Sequence, residues 1–301
     1  MRISDRLGCS TISFRHLPLC DALTVIGDLG FDEIDLGALP GVCDHVPFTL
    51  NGPAVTQVAD EVIGSGLRVR TVNGDIGDLN TVLDVPGHGE RRAHLQQLLD
   101  LTARVGAVAL VLPNGALSHR PVVDLDIDIS RVTMELAAAA ELAATFDLQL
   151  WVESLHVLRL CHSLPEATQL TKALAGSPVG VVMDFSHVVA SGARLEQFVD
   201  LFGDRIRHVH LRDATTGNIH HSIGNGAVDF AAGVAALDSA GYDGHFALEL
   251  ETRDVADADR PAATARAAGF VSALLQSTAG LARTTQAPAS FAGHTPSGGI
   301  S

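Results

Sequence analysis

Hydrophobic and polar positions along the chain alternate between two patterns. Short apolar, often β-branched runs recur at residues 7–13, 33–37, 67–73, 107–113, 148–153, 179–184, 206–211 and 245–250, and their length and composition predict eight strands. Stretches with the period of amphipathic helices follow them at 20–29, 53–65, 89–105, 128–146, 165–174, 195–202, 230–240 and 261–279. Strict strand–helix alternation implies right-handed crossovers and a parallel sheet, and eight units is the number that closes into a barrel. The rival, an open doubly wound sheet, normally carries a glycine-rich phosphate turn, and no G-x-G-x-x-G follows any of these runs. The pattern predicts a single-domain (β/α)8 barrel over residues 1–281. Residues 282–301, rich in Ala, Ser, Thr, Gly and Pro without periodicity, are expected to form a flexible C-terminal tail.

Alternation within the last four strands separates an outer apolar face from an inward one. Leu148, Leu150 and Val152 face outward, which turns Gln149, Trp151 and Glu153 in. Val181 and Met183 face outward and Asp184 inward; Val209 and Leu211 outward, His208 and His210 inward; Phe246, Leu248 and Leu250 outward, Glu249 inward. Glu153, Asp184, His210 and Glu249 are thus expected at the C-terminal ends of consecutive strands, where barrel active sites form.

Taken singly, each has a plainer reading: a strand-end carboxylate is usually a helix cap, and a His in V-H-L a core residue. Together, three carboxylates and an imidazole would repel one another unless a cation sat between them. One divalent metal ion is therefore expected. Mn²⁺, Mg²⁺ or Co²⁺ suits an O,O,O,N set with room for substrate oxygens, and Zn²⁺ or Fe²⁺ is compatible.

Composition narrows the partners. A length of 301 residues suits one α/β barrel, which commonly runs to about 250 residues or more. The net charge of −15, with no run of Lys or Arg, lacks the field that attracts phosphate backbones, so no nucleic-acid partner is expected. Apolar runs such as 105–113 fall short of the roughly 20 residues that span a bilayer. With a polar opening, MRISDR, this leads to an expected cytoplasmic protein without membrane contact. Cys9, Cys20, Cys43 and Cys161 form no C-x-x-C pair, so free thiols are expected rather than a structural zinc site.

The segments VES-x-H (152–156), MDFSH (183–187), HVHLRD (208–213) and GYDGHFALELE (241–251), with LGCSTISF and DLGFDEIDLG near the start, resemble the xylose isomerase-like TIM barrels, the sugar phosphate isomerase/epimerase family. The resemblance covers residues 7 to about 275. It implies the same metal ligands, Glu153, Asp184, His210 and Glu249, with the two Glu acting as acid and base on opposite faces of the substrate. It also implies that His187 contacts a substrate oxygen. Beside that, His156 either touches substrate or caps a loop, and Asp213 either orients a metal-binding His or caps the segment after it. His208 lies one layer below His210 and suits a hydrogen-bonding partner of the site better than a ligand. Glu251 shares the face of Glu249, but spacing from the Gly-Tyr-Asp-Gly turn favours Glu249. His220 and His221 read as substrate contacts or as exposed loop residues, and Phe14, His16, His45, Asn73 and Asn114, in loops after the first four strands, suggest a polar pocket.

The expected function is that of an isomerase or epimerase acting on a ketose or keto-polyol through a metal-stabilised enediolate. A dehydratase or other lyase sharing the same first proton abstraction is the alternative. A non-catalytic barrel subunit would have no need of all four ligands. An abasic-site endonuclease, which the resemblance also permits, would need further histidines on early strands, and the third strand ends Val72-Asn73-Gly74-Asp75. Barrels of this family are often dimers or tetramers, so a homo-oligomer is the corresponding expectation.

Overall fold

A computed structural model describes residues 2–285 of the chain, with side chains to residue 277. Strands β1 (Leu7–Ser10), β2 (Glu33–Ala38), β3 (Arg68–Gly74), β4 (Ala109–Pro113), β5 (Gln149–Glu153), β6 (Gly180–Asp184), β7 (Ile206–Leu211) and β8 (His245–Leu248) pair in parallel in chain order, and β8 closes onto β1. This is the eight-stranded barrel that the alternation predicts. Around it run α1 (Leu19–Asp28), α2 (Gly52–Gly64), α3 (Val85–Arg104), α4 (Leu125–Ala144), α5 (Leu164–Ala173), α6 (Phe185–Ala190), α7 (Leu195–Phe202), α8 (Phe230–Ser239) and α9 (Arg260–Thr285). After β7 the chain adds a small antiparallel hairpin, Asp213–Thr215 with Asn218–His221.

Side-chain alternation sorts each strand between two environments. Leu150, Val152, Val181, Met183, Val209, Leu211, Leu248 and Leu250 join the large apolar layer between sheet and helices, where each buried Leu or Val contributes about 1.5–3 kcal/mol relative to exposure. A separate, small apolar cluster contains Ala109, Val111, Trp151 and Val182. Polar groups occupy the barrel strands' other face and meet partners there, as burial demands. Near the N-terminal ends of the strands, Glu33 lies 2.6 Å from His245 Nδ1; further along, Asp35 lies 2.6 Å from His208 Nε2.

Several element boundaries differ from the sequence pattern. Residues 11–14 form a 3-10 turn instead of extending β1, because the Ser10 hydroxyl accepts the Ile12 N–H and stops the strand. α3 and α4 begin a few residues before the expected 89 and 128, at caps where Asp84 accepts from Gly87 N and Asp124 from Ile127 N. α9 continues to Thr285, and residues 286–301 of the expected tail lie outside the described residues. Cys9, Cys43 and Cys161 are buried and Cys20 exposed, all as free thiols. No helix among the described residues is long and apolar enough to cross a membrane.

Candidate metal centre

Glu153 ends β5, Asp184 ends β6, His210 is the penultimate residue of β7 and Glu249 directly follows β8. Register fixes their heights: Asp184 pairs with His210, and His210 with Ala247, two residues before Glu249. All four are buried, and one ligand atom from each lies within 4.8 Å of the others. Glu153 Oε1 and both ring nitrogens of His210 make no hydrogen bond of regular geometry. Unsatisfied buried polar atoms are costly, and here they belong to a converging O,O,O,N donor set that a divalent cation would satisfy. The residues therefore fit a metal ion.

The electrostatics carry the same tension. Burial, and then the charge of Glu249, push the Glu153 carboxyl up to about 8. Burial alone would lower His210, but the carboxylates of Glu249 and Asp35 outweigh it and hold the ring well above the usual imidazole range. A second internal cation is Arg212, 2% exposed, whose Nη2 lies 3.1 Å from Asp184 Oδ2 and 4.0 Å from Glu249 Oε2. Its Nη1 lies 3.3 Å from Glu251, which Arg15 also reaches at 2.8 Å. Glu251 is thus neutralised by two guanidinium groups and stands outside the ligand set.

His187 and His156 form a different part of the site. His187 Nδ1 accepts the Val157 N–H and His156 Nδ1 accepts the Leu158 N–H, so a neutral ring in either case carries its proton on Nε2. Burial chiefly, then Arg212 for His187 and His187 for His156, holds both well below the usual imidazole range. His187 Nε2 stands 3.5 Å from Glu153 Oε1. Glu153, His156 and His187 are close enough to resemble a second metal site, but ring nitrogens that carry protons donate and do not ligate.

These histidines line a cavity of about 250 Å³ at the barrel mouth, together with Glu153, Glu249, Asn73 and the apolar Leu117 and Leu158. Asn73 also donates to Glu249 Oε1 at 3.2 Å. His220 borders the same cavity, its Nδ1 on the Glu251 carbonyl, whereas His221 bonds within the hairpin to Thr215 and Asn218. Of the two readings of Asp213, orienting a metal-binding His or capping the segment after it, the structure has the second. Its carboxylate accepts the N–H groups of Ala214, Gly224, Gly226 and Val228. Asn114 likewise anchors backbone, donating to the Glu153 carbonyl and accepting the Cys161 N–H. Phe14 is fully buried, and His45 bonds to Cys43 and the Leu17 carbonyl.

Two participants escaped the sequence reading. Arg212 lay unremarked inside HVHLRD, and Asp35 lay in E-I-D-L-G, where the alternation that defined β2 also placed two acids on its inward face.

Residues 23–274 match the model of the xylose isomerase-like TIM barrel. The chain belongs to that family. Among relatives of this xylose isomerase-like barrel, the inosose dehydratase of Geobacillus thermodenitrificans (strain NG80-2) is 30% identical over 104 residues, or 29% of this chain and 35% of that protein. The match thus spans about a third of the curated relative's length. An L-ribulose 3-epimerase structure superposes with a TM-score of 0.76 at 19% identity, covering 98% of this chain and all of that one. The IolI protein with a bound zinc atom gives 0.69 at 17% identity, covering 89% and 97%. At such identities the structural likeness establishes the fold.

Proposed function

We propose that the protein is a divalent-metal-dependent isomerase or epimerase that moves a proton at the carbon beside the carbonyl of a ketose or keto-polyol. The observation that carries this reading is the convergence of Glu153, Asp184, His210 and Glu249, with unsatisfied atoms on Glu153 and His210, beside a cavity of about 250 Å³ that Glu153 and Glu249 line. These four residues would hold the ion, which when bound supplies electrophilic stabilisation of an enediolate oxygen. Mn²⁺, Mg²⁺ or Co²⁺ suits the set, with Zn²⁺ and Fe²⁺ also compatible.

Glu153 is the better candidate for first base, because its Oε1 is free of hydrogen bonds while Glu249 Oε1 is held by Asn73. Glu249, entering the cycle as the protonated acid, then gives its proton to the other face, and exchange with solvent deprotonates Glu153 and reprotonates Glu249 for the next turnover. The neutral rings of His187 and His156 present Nε2–H groups that orient substrate oxygens without adding charge. A carbohydrate-like small molecule is the partner this cavity suits, and the net charge of −15 disfavours nucleic acid. A second reading, dehydration of a keto-polyol, is favoured by the identity shared with a protein named inosose dehydratase. It uses the same abstraction and differs in delivering the proton to a leaving hydroxyl.

Solvent exchange tests the shared step. A panel of ketoses and keto-polyols incubated with Mn²⁺-loaded protein in deuterium oxide should yield a compound that gains deuterium beside its carbonyl. Glu153→Gln and Glu249→Gln should each slow that exchange by about 10²-fold or more. Inversion, a moved carbonyl or loss of water then identifies epimerase, isomerase or dehydratase. A substrate turned over at full rate by both variants, or without label, would overturn the two-carboxylate mechanism.

A further inference from the structure

Beneath the four-residue floor, the barrel interior holds a carboxylate for which the proton transfer above has no use. Asp35 is 1% exposed. Its Oδ2 lies 2.6 Å from His208 Nε2 and 3.3 Å from His210 Nε2, while its Oδ1 has no hydrogen-bond partner. The two imidazoles stand perpendicular with centroids 5.2 Å apart, so a single carboxylate oxygen sits in the corner between them. Trp151 lies beside His208, at 5.9 Å between centroids. The β2–β3 register shifts between Ile34 and Asp35; such irregularities re-aim a side chain inside an otherwise regular sheet.

A buried carboxylate is expensive unless it is paired, and this one faces the edge of a proposed ligand opposite the mouth. The Asp35 carboxylate, 3.3 Å from Nε2 but short of regular hydrogen-bond geometry in the metal-free fold, favours the ring proton on Nε2 once the ring is neutral and leaves the lone pair on Nδ1. That is the nitrogen on the ligand side, 3.5 Å from Glu249 Oε2. The arrangement is the reverse of His187 and His156, whose Nδ1 atoms are occupied by backbone N–H groups. One site thus contains imidazoles set in two opposite senses: donors in its wall and, once its ring is neutral, an acceptor in its floor.

We propose that Asp35 is the positioning residue of the metal centre: it holds the Nε2–H of His210 so that Nδ1 is the ligand atom, and His208 fixes Asp35 in place. The inference rests on the four-residue set being a metal site. Second ligand spheres of this kind typically alter affinity by about 10–100-fold when removed.

The test measures metal binding and the ring itself, independently of turnover. In competition with a fluorescent chelator, wild-type protein should bind one Mn²⁺, and Asp35→Asn should raise the Kd about 10–100-fold while its metal-free melting temperature stays within a few degrees. In the Zn²⁺-loaded wild type, long-range ¹H–¹⁵N spectra should place the His210 proton on Nε2, with the ring assigned through His210→Gln. Equal affinities in wild type and Asp35→Asn would overturn the role of Asp35. So would a wild-type His210 protonated on Nδ1, a result that needs no variant to fold. Wild-type protein that binds no Mn²⁺ would instead sink the metal reading itself.

Discussion

At the scale of single residues, the site stores acids where an isolated carboxylate would be untenable, and Glu153 expresses the consequence. Its carboxyl, pushed up to about 8 from an ordinary 4.5, binds its proton more tightly in the metal-free fold than in the unfolded chain. That contribution to stability is complete below the ordinary carboxylate range and is lost as pH rises through about 8. Above the ordinary imidazole range, where the depressed His156 and His187 no longer contribute a slope, scanning calorimetry of metal-free protein should therefore find a melting temperature that falls between about pH 7 and pH 9. Mn²⁺ affinity should rise over the same interval, because the ligand must shed its proton to bind. A metal-free melting temperature that climbs across this window contradicts the assignment. Which residues were legible in sequence follows from their context. Glu153, Asp184, His210 and Glu249 stand out as polar interruptions at the ends of apolar strands. Asp35 does not, because its significance depends on a histidine 173 positions away, and Arg212 does not, because strand-end arginines usually reach solvent.

At the scale of elements, alternation recovers the barrel strands well, since each has a distinct outer face to bury. Helix starts at α3 and α4 are less visible, because the first turns are set by Asp84 and Asp124 caps and their apolar residues Val85 and Ile127 are exposed. Least visible is the segment after β7. Its sequence, rich in Gly and Asn, gives no period, and its shape depends on Asp213 gathering four backbone N–H groups. Gly226 is essential to that packing: a Cβ there would collide with Asp213 Oδ1 and the Ala214 carbonyl. Gly226→Ala should lower stability by about 1–3 kcal/mol in urea unfolding and speed amide exchange at Gly224 and Val228. Unchanged exchange would mean that the loop does not depend on this anchor.

At the scale of the whole molecule, the proposed ion would link metal binding to folding. An ion that binds only the folded barrel should stabilise it by about 2.7 kcal/mol at a hundred times its Kd, and for a domain of this size that raises the melting temperature by roughly 5–10 °C. Saturating Mn²⁺ should produce this rise and chelator reverse it; a melting temperature indifferent to both would place the ion outside the fold's energetics. The interior nevertheless contains its own positive charge. Arg212 touches Asp184 and Glu251, and His210 is held above the usual imidazole range between Glu249 and Asp35. If the centre holds the proposed ion, a chain that brings its own counter-ions there can fold before that ion binds. The identity of the proposed metal would then be decided late, by which ion the surroundings supply when the finished barrel first meets it, so copies made under different ionic conditions should emerge as chemically distinct populations of one and the same fold.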